Sequence, residues 1–189
     1  MTISIDPALA KRIKLVVLDV DGVMTDGGIV LGDVDGQRLE LKRYDIQDGL
    51  GIKMLQWAGI RVALVTGRVS MSVELRAKEL GIEDVIQDQH ARKIGAVRRL
   101  AKQHGIALED VACLGDDLPD LGVMREVGLP VAVANASKDA IDSAKIHLTR
   151  MGGAGAIREL AELLLRARGE WQSLVESYVK SRDTEEIPA

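Results

Sequence analysis

The sequence predicts an α/β fold, a doubly wound parallel sheet in a single domain. Short β-branched apolar runs alternate along the chain with segments of helical periodicity, which is the pattern of βαβ units in a Rossmann-like arrangement. A polar side chain ends or follows three of the apolar runs, at Asp19, Thr66 and Asp116. Because ligands of such sheets bind outside the carboxyl ends of the strands, we expect these three side chains to converge.

Six strands are predicted in chain order, at residues 14–19, 61–66, 84–86, 111–115, 130–134 and 146–149. Segments of helical periodicity separate or follow them, at residues 49–58, 70–80, 92–104, 118–127, 138–144 and 154–167. A glycine follows four of the helical segments, and we expect each to adopt the left-handed conformation that ends a helix: Gly59, Gly81, Gly105 and Gly128.

One segment breaks the alternation of strands and helices. Extended runs at residues 28–32 and 37–43 flank Asp33-Val34-Asp35-Gly36, in which Asp-Gly is the signal of a hairpin turn. We therefore predict a hairpin insertion at about residues 28–43, directly after the first strand. Residues 1–168 then form one domain. Beyond Gly169 the chain loses periodicity, so we expect residues 169–189 to be a mobile tail.

Composition excludes several classes of function. The chain has 189 residues, of which 47% are hydrophobic and 29% charged, and its net charge of −4 favours neither a nucleic-acid partner nor an anionic membrane surface. No apolar stretch approaches the roughly 20 residues of a membrane span. The single Cys113 excludes an intramolecular disulfide, and the N-terminus lacks the apolar stretch of a signal peptide, so we expect a cytoplasmic location.

The residues at the strand ends predict a phosphoryl-transfer site. Carboxylates such as those of Asp19 and Asp116 are the hard ligands that Mg²⁺ prefers, and Mg²⁺ usually takes only one or two of them. The hydroxyl of Thr66, the amide of Gly67 and the ammonium of Lys93 could bind phosphoryl oxygens and offset negative charge. A bend would have to separate Asp19 from Asp21, which lie on the same side of an extended strand, and Gly22 permits one.

These residues form four ordered motifs: Asp19-x-Asp21-Gly22-x-x-Thr25, Thr66-Gly67-Arg68, Lys93, and Gly115-Asp116-Asp117-x-x-Asp120. Over roughly residues 14–168 the series resembles the motifs of the haloacid dehalogenase superfamily of phosphohydrolases. The resemblance implies that Asp19 is the nucleophile, which forms an aspartyl phosphate, and that Asp21 is the general acid and then the general base. It also implies a Mg²⁺ ion held by Asp19, the Asp21 backbone carbonyl and Asp116, with Asp117 in a supporting position. Asp120 is interpreted as structural support that holds Lys93.

A second resemblance narrows the family. The hairpin, the segment 48–53 and the late segment 149–159 are similar to the 3-deoxy-D-manno-octulosonate (Kdo) 8-phosphate phosphatase family, a capless subclass that supplies Kdo for lipopolysaccharide. The resemblance implies hydrolysis of Kdo 8-phosphate to Kdo and inorganic phosphate. It also implies a homotetramer in which hairpins associate and a neighbouring subunit covers the active site. The partly apolar hairpin would then be an interface.

Substrate contacts are implied by the same resemblance. They fall to Arg68 and Arg76, whose guanidinium groups suit a carboxylate, and to a segment that contains Asp48, Gly49 and Lys53. Asp45, Gln47 and Lys53 depart from the Asn, Arg and Arg of the family pattern. A phosphatase of a nine-carbon relative, such as a deaminated neuraminate 9-phosphate, is therefore an alternative. An inactive scaffold protein and a phosphomutase are further alternatives. The intact motif set opposes the scaffold protein, and the lack of a cap domain opposes the phosphomutase.

Each site residue also has a purely structural interpretation. Asp19, Thr66 and the pair Asp116-Asp117 could cap turns or helices. Lys93 could be solvated, with Arg92 in its place. Arg76, Arg150 and Arg158 could be surface charges or serve the fold or a subunit contact. The histidines have no metal-ligand spacing: His90, His104 and His147.

Overall fold

The structure, a computed structural model, describes residues 3–183. In chain order its strands are β1 (Leu15–Leu18), β2 (Val30–Val34), β3 (Gln37–Leu41), β4 (Arg61–Thr66), β5 (Asp84–Gln87), β6 (Val111–Gly115), β7 (Leu129–Ala132) and β8 (Ile146–His147). Six of these strands form one parallel sheet in the order β5-β4-β1-β6-β7-β8, while β2 and β3 pair with each other. The predicted fold class is confirmed.

Helices cover both faces of the sheet. They are α1 (Pro7–Arg12), α2 (Ile46–Trp57), α3 (Met71–Leu80), α4 (Lys93–Gln103), α5 (Leu121–Met124), α6 (Lys138–Ser143), α7 (Ala156–Arg168) and α8 (Trp171–Lys180). Short 3₁₀ turns lie at Leu108–Asp110 and Leu118–Asp120. Among the described residues, no helix is long and apolar enough to cross a membrane.

The central strand β1 is buried on both faces, which explains its unbroken apolar sequence. Side chains alternate across a strand, so Leu15 and Val17 pack into the cluster that contains residues of α4, α5 and α6. Val16 and Leu18 pack on the other face, with residues of α1, α2, α3 and α7. Aliphatic side chains supply nearly all of both clusters, as a chain without phenylalanine requires.

The predicted hairpin is present. Strands β2 and β3 run antiparallel and meet at Asp35 and Gly36, whose φ angles of 52° and 77° are those of a tight two-residue hairpin turn. Several apolar side chains of the hairpin are exposed, namely Val30, Leu31, Val34, Leu39 and Leu41. No cap domain is inserted within residues 3–183.

Two helices were missed by the sequence analysis. Helix α1 begins after Asp6, whose carboxylate accepts a hydrogen bond from the Leu9 amide at 2.9 Å, and Pro7 fills its first turn. Helix α8 lies in the segment that was predicted to lose periodicity after Gly169, and that prediction is wrong for residues 171–180. Its Trp171 is buried under the guanidinium groups of Arg158 and Arg166, so the folded part extends past residue 168. The remainder of the tail, residues 184–189, lies outside the described residues.

One glycine has a different role from the one predicted. Gly59, Gly81 and Gly105 adopt positive φ angles at helix ends, as expected, but Gly128 does not. A Cβ atom at Gly128 would clash with the backbone carbonyl of Glu109. Close approach of two backbone segments therefore explains this glycine, not a left-handed cap.

Candidate active site

Three adjacent strands bring the predicted site residues together. Strand β1 pairs with β4 on one side and with β6 on the other, in register along its whole length. Asp19 and Asp116 therefore follow neighbouring strands, and Thr66 ends the third. These residues and Lys93 line a cavity of about 270 Å³, whose other lining residues are Asp21, Gly67, Arg68, Ala91, Asp117, Pro119 and Asp120.

The bend that separates Asp19 from Asp21 is present. Residues Val20–Met24 form a wide π-type turn, closed by a hydrogen bond from the Thr25 amide to the Val20 carbonyl, in which Asp21 and Gly22 have non-helical backbone angles, with a φ of 103° at Gly22. Such an angle is readily adopted only by glycine. A Cβ atom at Gly22 would also overlap the carboxylate of Asp116, so the same glycine makes room for the acid that follows β6.

Lys93 lies at the centre of the site. It is the first residue of α4, its side chain is 5% exposed, and its ammonium contacts Asp19 Oδ1 at 2.6 Å and Asp120 Oδ1 at 2.8 Å. Burial alone would lower the pKa of Lys93, but the two carboxylates raise it above its usual value, so the ammonium stays charged. The alternative cation Arg92 is exposed and pairs with Asp88. The interpretation of Asp120 as a support for Lys93 is confirmed.

The carboxylates outnumber the cation that they surround. Carboxylate oxygens of Asp19, Asp116 and Asp120 lie within 4.8 Å of one another, with the Lys93 ammonium between two of them. Burial raises the pKa of Asp19 to about 6 despite Lys93. Burial and the charges of Asp19 and Asp120 raise the pKa of Asp116 to about 8. Excess buried negative charge of this kind is relieved by a divalent cation, and oxygen ligands suit Mg²⁺.

The hydrogen bonds of the three carboxylates indicate which of them would face a metal ion. Asp120 already holds Lys93, and its second oxygen accepts hydrogen bonds from the backbone amides of Asp116 and Asp117 at 3.1 and 3.4 Å. Asp19 and Asp116 are therefore the carboxylates that fit a Mg²⁺ ion. Asp117 is exposed and is the N-cap residue of the 3₁₀ turn that follows it, as the structural interpretation predicted.

A group of charged residues at the mouth of the site was missed by the sequence analysis. Lys42, which directly follows β3, contacts the Asp21 carboxylate and lies 3.7 Å from Glu40. Arg68 pairs with the same two acids, at 3.1 Å from Glu40 and 3.6 Å from Asp21. The available signal was the i, i+2 spacing of Glu40 and Lys42, which places two charged residues on one face of an extended run and Leu39 and Leu41 on the other.

Arg76 lies outside the acidic pocket. Its guanidinium donates to the backbone oxygen of Asp45, pairs with Glu79 at 2.8 Å and covers the ring of Tyr44. It lines a second and larger cavity, of about 890 Å³, which shares Arg68 with the acidic pocket. The other walls of this cavity are the end of the hairpin and the start of α3.

The segment 48–53 does not line the acidic pocket of this chain, and the substrate contacts predicted there stay a prediction. Asp48 is 3% exposed and accepts hydrogen bonds from the backbone amides of Gly155 and Arg158 at the start of α7. Gly49 is buried beneath Arg76, where a Cβ atom would lie 2.5 Å from the guanidinium. The Lys53 ammonium lies beside Gly81, at the end of α3. Within this chain, the Asp48 carboxylate is therefore directed to the start of α7, while Gly49 packs against the Arg76 side chain.

The late glycine-rich segment packs against the turn that carries Asp21 and Gly22. The Gly153 amide donates to the Val23 carbonyl at 2.9 Å, and a Cβ atom at Gly152 would clash with the Gly22 carbonyl. Arg150 is exposed, and Arg158 pairs with Glu162, so neither enters the acidic pocket. The histidines do not form a cluster, as predicted: His90 is exposed, His104 pairs with Asp84, and His147 contacts the Ala134 carbonyl.

The fold and the acidic pocket are those of a haloacid dehalogenase-like hydrolase. The family model of that description matches residues 83–152. The 3-deoxy-D-manno-octulosonate 8-phosphate phosphatase of Escherichia coli K12 is 45% identical over 164 residues, which cover 86% of this chain and 85% of the relative. The Salmonella typhi enzyme of the same name is 44% identical over 85% of the chain and 84% of its own length.

Solved structures agree with these relatives. The Kdo 8-phosphate phosphatase of Moraxella catarrhalis, determined with magnesium, phosphate and Kdo, has a TM-score of 0.86 at 40% identity and covers 91% of this chain and 97% of its own. The Yersinia pestis enzyme has a TM-score of 0.83 at 40% identity and covers 88% of each chain. The chain belongs to the Kdo 8-phosphate phosphatase family of the haloacid dehalogenase-like hydrolases.

Proposed function

We propose that the chain is a Mg²⁺-dependent phosphatase that hydrolyses Kdo 8-phosphate to Kdo and inorganic phosphate in lipopolysaccharide precursor biosynthesis. The observation that carries this proposal is the buried set of Asp19, Lys93 and Asp116 at adjacent strand ends. Relatives of known name share the whole fold at up to 45% identity. The M. catarrhalis relative holds magnesium, phosphate and Kdo together, which are the proposed metal and the two products of this reaction.

In the first step, a carboxylate oxygen of Asp19 forms a bond to phosphorus. The bond between phosphorus and the ester oxygen of the sugar breaks, its electron pair stays on that oxygen, and Asp21 donates the proton that completes the sugar hydroxyl. Lys93 holds Asp19 Oδ1 at 2.6 Å, which leaves Asp19 Oδ2 as the attacking atom. The pKa of about 6 keeps most of the Asp19 nucleophile ionised at neutral pH.

In the second step, water attacks the phosphorus of the aspartyl phosphate. Asp21, now a carboxylate, accepts the proton of the water, and the bond between phosphorus and Asp19 breaks to release inorganic phosphate. The Thr66 hydroxyl, the Gly67 amide and the Lys93 ammonium stabilise the phosphoryl oxygens. Mg²⁺, held by Asp19, Asp116 and the Asp21 carbonyl with support from Asp117, would supply further positive charge at those oxygens.

The sugar acid occupies the larger cavity in this proposal. Arg68 borders both cavities, and Arg76 lies deeper in the larger one. A planar guanidinium matches a planar carboxylate, so these two arginines are the groups that bind the acid function of the sugar. Release of phosphate from a panel of phosphorylated sugar acids, with and without Mg²⁺, tests the substrate. Faster turnover of a nine-carbon ulosonate 9-phosphate would replace Kdo 8-phosphate, and no turnover of any member would favour an inactive scaffold protein.

Asp19→Asn tests the chemistry. The amide is nearly the same size and removes the nucleophile, so phosphate release should fall by at least about a thousandfold while the thermal unfolding curve keeps its cooperative form. Asp6→Asn is the matched control, because Asp6 is an exposed aspartate that caps α1 and does not line the acidic pocket. Appreciable turnover by Asp19→Asn would exclude Asp19 as the nucleophile.

We also propose that the protein is a cytoplasmic homotetramer in which a neighbouring subunit covers each active site. The exposed apolar side chains of the hairpin support an interface there, because a monomer that left them in water would expose an apolar patch. The open larger cavity leaves room for such a cover. Mass measurement in solution tests the assembly. Leu31→Lys should lower the mass and the activity together, and full activity in a monomer would exclude a shared site.

A further inference from the structure

Four charged residues form a closed ring between the acidic pocket and the larger cavity. Asp21 contacts Lys42, Lys42 lies 3.7 Å from Glu40, Glu40 accepts a hydrogen bond from Arg68 at 3.1 Å, and Arg68 returns to Asp21 at 3.6 Å. Negative and positive side chains alternate around the ring. It joins the hairpin, which carries Glu40 and Lys42, to the two catalytic loops, which carry Asp21 and Arg68.

Lys42 is the buried member of this ring. Its side chain is 0% exposed, whereas that of Arg68 is 45% exposed. An ammonium removed from water is costly unless carboxylates compensate for the lost hydration. Lys42 therefore stays with Asp21 and Glu40, while Arg68 has the freedom to exchange partners when an anionic substrate arrives.

The two oxygens of Asp21 are held differently. Oδ1 is in contact with the Lys42 ammonium, while Oδ2 is 3.6 Å from Arg68 Nε, beyond hydrogen-bond distance. Fixing Oδ1 sets the rotation of the whole carboxylate. Oδ2 is then the oxygen that remains available for proton transfer. It faces Arg68, which lines both cavities.

We propose that Lys42 is a positioning residue, which orients Asp21 so that Oδ2 reaches the leaving oxygen of the substrate. This inference rests on the proposed role of Asp21 as proton donor. A general acid must lie within about 3 Å of the atom that it protonates. Asp21 sits on a turn whose next residue is glycine, so the backbone alone does not fix its side chain. Lys42 supplies that restraint, and Glu40 holds Lys42 in place.

The dependence of rate on the leaving group tests this role. An alkyl phosphate such as Kdo 8-phosphate needs a proton on its leaving oxygen, whereas p-nitrophenyl phosphate leaves as a stable phenolate without one. The parameter kcat/KM reports only the first phosphoryl transfer. Lys42→Met should lower kcat/KM for Kdo 8-phosphate by about 10- to 100-fold, part of the 10²–10⁴ that general acids contribute, and by less than about threefold for p-nitrophenyl phosphate.

Two further variants sharpen the comparison. In an Asp21→Asn background, Lys42→Met should cause no additional loss with Kdo 8-phosphate, because the group that it orients no longer donates a proton. Lys42→Arg should recover part of the activity, since it restores a cation at the same place. Lys14→Met is the control for loss of one positive charge and should keep the wild-type ratio of the two substrates. If Lys42→Met does not fold, Lys42→Gln gives the same comparison.

Equal losses on both substrates would overturn the inference, because a residue that binds phosphate or only supports the fold affects them alike. An additional loss in the Asp21→Asn background would overturn it as well. Failure of the wild-type protein to release phosphate from either substrate with Mg²⁺ would instead refute the proposed function. The two failures are therefore distinguishable.

Discussion

Asp48→Asn separates a structural role for this residue from a role in substrate binding. Asp48 is 3% exposed, and its carboxylate accepts hydrogen bonds from the Gly155 and Arg158 amides at 3.2 and 2.8 Å. Burial raises its pKa from 3.8 to about 6, although the backbone amides oppose the shift. Asparagine keeps the size of the side chain and one acceptor oxygen, but it does not titrate.

The magnitude follows from the linkage between pKa and stability. A carboxyl with a raised pKa binds its proton more tightly in the folded protein than in the unfolded chain. The stability due to Asp48 is therefore greatest below pH 4, declines as the pH rises to about 6, and is constant above that. The difference between 3.8 and about 6, at about 1.4 kcal/mol per pH unit, corresponds to a decline of about 3 kcal/mol.

Urea unfolding between pH 4 and 7.5, with a chelator present, measures this decline. The free energy of unfolding of the wild type minus that of Asp48→Asn should fall by about 2.5 kcal/mol across this range, because part of the decline precedes pH 4 and the contributions of the other acids largely cancel in the difference. Asp6→Asn, which removes an exposed carboxylate at the start of α1 and keeps its cap, should retain the wild-type slope. The kcat/KM of Asp48→Asn should stay within about threefold of the wild type. Parallel pH curves, or a large loss of activity with unchanged stability, would refute the reasoning.

Three other predictions concern the site and its support. Asp120→Asn leaves the Lys93 ammonium with one carboxylate and should lower kcat by about 10-fold or more and the free energy of unfolding by about 1–3 kcal/mol, measured by steady-state kinetics and urea unfolding. Gly152→Ala should lower both the melting temperature and kcat, because its Cβ atom would displace the Gly22 carbonyl. Gly95→Ala is the control: its Cβ atom would make only ordinary contacts in α4, so the variant should keep its activity and gain about 1 kcal/mol in stability. Removal of Mg²⁺ with EDTA should abolish phosphate release, and added Mg²⁺ should restore it.

Local patterns were sufficient to predict the sheet. An apolar run such as Leu15–Leu18 is buried on both faces in any parallel sheet, so its sequence predicts its position. Helices α1 and α8 were harder to find, because each depends on its neighbours. The six-residue α1 is stabilised by the Asp6 cap, and α8 by Trp171 against α7. Gly128 shows the same limit, since a glycine at a helix end and a glycine at a close backbone contact look alike in sequence.

The acidic pocket was predictable for a related reason. Asp19, Thr66 and Asp116 belong to strands whose carboxyl ends meet in every fold of this class, so their convergence follows from the strand order. No comparable rule predicts contacts between side chains that are far apart in the sequence. Asp48 was placed at the substrate although it caps a helix more than 100 residues later in the chain. Lys42 was overlooked because its partner Asp21 lies across the hairpin.

The two cavities therefore divide the reaction between different parts of the fold. In the proposed mechanism, the chemistry takes place in the smaller cavity, at the ends of β1, β4 and β6. The larger cavity, proposed here to hold the sugar, is lined by the end of the hairpin and by the start of α3, with Arg68 at the boundary. The Lys53 ammonium lies beside Gly81 at the end of α3, outside the residues that line either cavity of this chain. If the sugar occupies that cavity as proposed, we expect discrimination between eight-carbon and nine-carbon substrates to depend on the hairpin, on Arg76 and on the neighbouring subunit that closes the open side of the cavity.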